Sequence, residues 1–194
     1  HGLPRLGEEA AADARTAGDI GRVGSAAPPI TVQGLAQSPR LQWRPNPDGA
    51  VRTPEEVVEL ARKWGVEIEE DVAFIARDPK TLPKNTLAEY FGARFDPGAR
   101  LAWKNFLNAR EEVSVRISRE ILSSDEACVA VIAHEMHEIN GLRKLFAARE
   151  TVPAEEIYRL INPGIKGNLH DQAWDVADDI VTRMRAAGQR TEAQ

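Results

Sequence analysis

Residues 123–148 read SSDEACVAVIAHEMHEINGLRKLFAA, and how this stretch folds decides how the rest of the chain is arranged. It contains no proline and carries an almost unbroken apolar set, so one long helix is expected from Asp125 to about Ala148. Ser123, with Glu126 three residues later, reads as its capping box. A helix this apolar must be covered on most sides, which makes it the spine of a domain. At 100° per residue, Glu138 lies roughly 40° and Glu135 roughly 100° from His134, on an arc shared with Ala127, Ala130, Val131, Leu142 and Leu145. His137 falls near about 300° with Glu126, Asn140 and Lys144, which is expected to be the solvated side.

Working outward, EVSVRI at 112–117 alternates apolar and polar residues as a strand with one wet face does. DVAFIAR at 71–77 and the stretch 87–95 are two further expected strands, whereas 101–107 fits neither period. Thr53, Pro54, Glu55 and Glu56 supply an N-cap, a proline at N1 and an acidic first turn for a helix from 54 to about 65, closed by Gly65. A shorter helix is expected over 153–161. Pro163 and Gly164 break it before a last helix from about Asn168 to Ala187. These elements make an α+β fold with a small, mostly antiparallel sheet packed on the long helix. Residues 1–50, rich in Ala, Gly and Pro, read as a flexible linker or N-terminal arm with one short helix near Glu8–Ala17, leaving 51–190 as the folded domain.

With 194 residues, 42% apolar and 28% charged, the chain has room for one domain with a real core. Its 25 Lys and Arg against 30 Asp and Glu leave a net charge of −5, which argues against nucleic acid as a partner, because phosphate neutralisation needs a basic surface. The lone cysteine, Cys128, excludes an intrachain disulfide and a multi-thiolate zinc site, so a metal here must be held by imidazole and carboxylate. No run of apolar residues is long enough to span a membrane, and no Sec-type signal is written at the start. A chain opening on His1 and Gly2 rather than Met is expected to be a piece of a longer polypeptide.

On the last helix, His170 shares a stripe with Trp174, Ala177, Val181 and Met184, so it too faces inward. Buried carboxylates need a partner, and a dication held by His134, Glu138 and His170 supplies one. Zinc is the default ion, with Mn²⁺ the alternative. Three protein ligands leave a fourth position for water, and Glu135 stands beside it as the candidate base. Trp174, with Asp171 and Asp178 at roughly 100° and 80° from His170, would form the surround. Each feature also has a plainer reading: a His/carboxylate pair supporting the helix, a core histidine, a carboxylate that only orients a ligand, and a solvated run of aspartates. Cys128 projects to another face, which argues against a Cys/His nucleophilic pair.

His134, Glu135, Met136, His137 and Glu138 resemble the zincin metallopeptidase signature HExxH with its second His replaced by Glu, and His170 resembles the third ligand of the gluzincin branch. The resemblance covers roughly residues 53–187. It implies a zinc peptidase in which Glu135 helps deprotonate water and the strand at 112–117 aligns the substrate backbone. The replaced histidine keeps a two-His, one-Glu ligand set but loosens the pattern. A nuclease-type hydrolase using Mn²⁺ or Mg²⁺ with Asp171 and Asp178 as added ligands is therefore a rival, as is a metal-free binding module with a His/Glu network. The Ala/Gly/Pro-rich lead before a compact C-terminal domain resembles the toxin tips of bacterial polymorphic toxins of the rearrangement-hotspot (Rhs) kind. That likeness implies an effector secreted or delivered into a target cell, with a protein or peptide substrate there and a cognate immunity protein as partner.

Overall fold

The computed structural model describes residues 27–36 and 42–192. In chain order the elements are β1 (Ile30–Ala36), α1 (Pro54–Lys63), β2 (Val72–Arg77), β3 (Ala88–Phe95), β4 (Arg100–Leu101), β5 (Val113–Ser118), α2 (Asp125–Ala148), β6 (Val152–Pro153), α3 (Ala154–Ile161) and α4 (Leu169–Glu192). The fold is α+β. Its main sheet has the order β1-β3-β5-β2 and is mixed: β1/β3 and β3/β5 are antiparallel, and β5/β2 is parallel. β4 and β6 form a separate two-stranded ribbon.

The stretch 112–117 is β5, but it lies inside the sheet with β3 and β2 on either side. Its ladder with β2 covers Val113–Ser118 and its ladder with β3 covers Val115–Ile117, so the expected role of aligning an extended substrate is confined to the Val113–Ser114 end: an incoming strand needs a free edge. Within this sheet the edges are β1 and β2. Part of the expected arm is also structured. Ile30–Ala36 pairs with β3 along its whole length, with Val32, Gly34 and Ala36 turned inward. Two of those three inward residues are Gly and Ala, so the strand leaves almost no apolar period to read. The helix expected near Glu8–Ala17 lies outside the described residues.

α1 begins as its residues dictate, with Thr53 Oγ1 accepting from the Glu56 amide and the Glu56 carboxylate accepting from the Thr53 amide at 2.8 Å. α2 runs over the expected span, but its cap is Ser124 rather than Ser123, and the capping box is not made. Ser123 closes a 3₁₀ turn, and the Glu126 carboxylate instead accepts from Arg185 and from the Arg44 amide. The ambiguous stretch 101–107 resolves into the end of β4 and a 3₁₀ turn, Trp103–Phe106.

α2 is buried over most of its circumference, packing against α4, α1 and the strands β1 and β3. α4 comes closest near Gly141, where an added Cβ would lie 2.7 Å from Leu169 Cδ2. A glycine inside a helix costs roughly 1 kcal/mol against alanine. Here its missing side chain lets the first turn of α4, and with it His170, approach α2.

Candidate metal centre

Three polar side chains of α2, His134, Glu135 and Glu138, are fully buried, and His170 from the first turn of α4 is nearly so. Ligand atoms of His134, Glu138 and His170 all lie within 4.8 Å of one another. Glu138 Oε1 is the shared point, 2.7 Å from His170 Nδ1 and 3.5 Å from His134 Nε2. The two imidazoles meet edge to face with ring centres 4.6 Å apart. Atoms bound to one tetrahedral zinc through bonds of roughly 2.0–2.2 Å lie about 3.3 Å apart, so the His134 separation already suits an ion. The His170 contact is a hydrogen bond that a cation would replace. Three residues chosen from sequence on two helices therefore do converge on one point.

Other polar atoms at the centre are poorly satisfied. Among the described residues, both nitrogens of His134 and both carboxylate oxygens of Glu135 are buried without a well-formed hydrogen bond, with Glu138 Oε1 3.5 Å from His134 Nε2 and the Ala36 amide near Glu135. Leaving a buried polar group unpaired costs roughly 1–3 kcal/mol, so a site with four such atoms calls for something to bind. Burial raises the Glu135 carboxyl well above its ordinary value, the negative charges of Glu138 and Glu89 raise it further, and the Ala36 amide opposes them only weakly. Burial pushes Glu138 the same way, but the imidazoles of His134 and His170 outweigh it and hold Glu138 below its ordinary value. Burial lowers His134, and Glu138 only partly offsets it, so this ring is neutral and free to donate a lone pair.

Trp174 packs over the site as expected, its ring 4.3 Å from that of His134, and Trp43 lies against Trp174 at 6.3 Å. Asp171 helps to start α4: its carboxylate accepts from the Gly167 amide, and its own amide donates to Asn168. Asp178 is half-buried further along α4, and its carbonyl accepts from the Thr182 hydroxyl. Among the described residues, the ligand group comprises His134, Glu138 and His170 and includes neither aspartate. His137 stands outside it, on another face of α2, but it is half-buried rather than solvated. It lines a cleft of about 610 Å³ with Gly65, Glu67, Lys144 and Gln172, because the turn after α1 and the start of α4 cover that flank.

No sequence pattern points to Tyr90, whose hydroxyl donates to Glu138 Oε2 at 3.0 Å. Nor does one point to Glu89, a buried carboxylate on β3 paired with Arg116 and Gln33. Both are ordinary members of a strand by pattern; the packing of β3 on α2 gives Tyr90 its neighbour, and the pairing of β3 with β1 and β5 gives Glu89 its own.

The fold and the centre together define an α+β protein with a buried His/Glu/His group able to hold a metal ion. Compared with known protein families, curated proteins and solved structures, the chain matches none.

Proposed function

We propose that this chain is a metal-dependent hydrolase, and specifically a zinc peptidase in which Glu135 is the general base. One observation carries the reading: Glu135, a wholly buried carboxylate without a well-formed hydrogen bond, shares α2 with two of the three convergent ligand residues. His134, Glu138 and His170 would hold the ion, which when bound supplies a Lewis acid for a carbonyl and lowers the pKa of water. Mn²⁺ is the second choice of ion. Glu135 accepts the proton of the attacking water and passes it to the leaving amine. Its raised pKa suits that relay, because it makes the carboxylate a stronger proton acceptor. The peptide substrate rests on the HExxE pattern and its two-His, one-Glu set. Delivery as a toxin domain, with an immunity protein as partner, rests on the Ala/Gly/Pro-rich lead.

Every member of the centre is buried, so a substrate reaches it only when the groups packed around it give way. The competing reading, a metal-free polar network, is favoured by the two hydrogen bonds that already satisfy Glu138, from Tyr90 and with His170. It leaves His134 and Glu135 unexplained. Elemental analysis of the purified chain beside His170→Ala separates the two: about one zinc per chain, lost in the variant, supports the hydrolase. No metal in either folded protein would establish the network. Peptide digestion by the wild type, absent in Glu135→Gln, then tests the reaction class.

A further inference from the structure

β3 is interrupted where it faces the centre. Gln33 pairs with Gly92 and Gly34 pairs with Tyr90, so Phe91 has no partner on β1 and forms a bulge. Phe91 takes a φ of 41°, in the left-handed region that bulky side chains rarely adopt. The ring of Tyr90 lies across Gly34, where a Cβ would fall 1.9 Å from its Cε1, and its hydroxyl reaches Glu138 Oε2. Glycine at 34 leaves the room that this ring fills, and the bulge at 91 is the next residue along β3.

We propose that Tyr90 is a positioning residue that makes Glu138 a one-oxygen ligand; the proposal rests on the metal-centre reading above. By occupying Oε2, the tyrosine leaves Oε1, the oxygen already facing both imidazoles, for the ion. The hydroxyl is the donor in this contact, since a carboxylate oxygen can only accept. A carboxylate freed of this clamp turns both oxygens to the ion and takes up the position that a water or substrate oxygen needs. Tyr90 thus keeps the centre four-coordinate and open to an exogenous ligand, without itself touching the ion.

The test is Co²⁺ titration of the full chain, read by visible absorption, for wild type, Tyr90→Phe and Gly34→Ala. Tetrahedral Co²⁺ absorbs severalfold more strongly than five-coordinate Co²⁺, so geometry is read directly. The expected result is an intense band in the wild type and a severalfold loss of it in Tyr90→Phe, with affinity lowered by about 10–100-fold. Gly34→Ala, which displaces the ring but keeps the hydroxyl, is expected to show the same spectral loss. An unchanged band and affinity in a folded Tyr90→Phe overturns the proposal while leaving the metal centre intact. A wild-type chain that takes up no Co²⁺ overturns the metal centre, and the clamp with it.

Discussion

Glu135 and Glu138 stand three residues apart on α2, both fully buried, yet their carboxyl groups are pushed in opposite directions. The two imidazoles draw Glu138 below its ordinary value, whereas burial and the charge of Glu138 raise Glu135 well above it. Pairs of titratable groups pushed apart in this way mark acid/base sites more often than structural ones. Glu135→Gln keeps the shape and removes the base, so hydrolysis should fall by roughly 10²–10⁴-fold while metal content stays at the wild-type level, read by peptide digestion and elemental analysis. Loss of the metal in that variant would make Glu135 a ligand instead. His170→Ala should lower metal affinity by more than the roughly 10–100-fold of an outer-shell change, whereas His137→Ala, on another face of α2, should barely alter it. Equal losses in both, by competition with a chromogenic chelator, would sink the assignment of faces.

The elements hold these residues through two local devices. At the start of α2, Arg52 meets Asp125 through two bonds of 2.9 Å and ties the segment before α1 to the long helix. The hydrogen bond from Arg52 holds the Asp125 carboxyl below its ordinary value against a smaller opposing effect of burial. A depressed carboxyl contributes stability that is present above its unfolded pKa, about 3.9, and lost as pH falls through the lower folded value. Thermal melts of Asp125→Asn should therefore approach those of the wild type below pH about 4 and lie below them at pH 7. At the α2/α4 crossing, Gly141→Ala gains helix propensity of about 1 kcal/mol but drives a methyl into Leu169. It should lower both the melting temperature and the metal affinity, since Leu169 immediately precedes His170. A more stable variant with unchanged affinity would show that the α4 turn can yield without moving its ligand.

For the whole molecule, the centre joins α2 and α4, the two longest helices, and lies beneath β1 and β3. An ion that binds only the folded chain stabilises it by about 2.7 kcal/mol at a hundredfold excess over its Kd. For a chain of this size that is a rise in melting temperature of about 5–10 °C. Scanning calorimetry after chelation and after zinc is restored should show this difference in the wild type and none in His170→Ala. A wild-type melt indifferent to zinc would favour the metal-free network.

The convergence of His134, Glu138 and His170 was legible in the sequence because helix geometry is rigid: spacing alone puts His134, Glu135 and Glu138 on one arc, and an apolar stripe places His170 inward. The α+β class and the spans of α1, α2 and α3 followed from caps, breakers and period, which are local. What tertiary structure alone decided is non-local. A strand built on Val32, Gly34 and Ala36 has too little apolar contrast to be seen before it finds β3, and the interior place of β5 depends on which strands pair beside it. Ser124 rather than Ser123 became the cap because a 3₁₀ turn ends there and Glu126 is drawn to Arg185. The Tyr90 contact brings together a glycine on the next strand and a carboxylate 48 residues away, and no pattern within one segment encodes such a meeting.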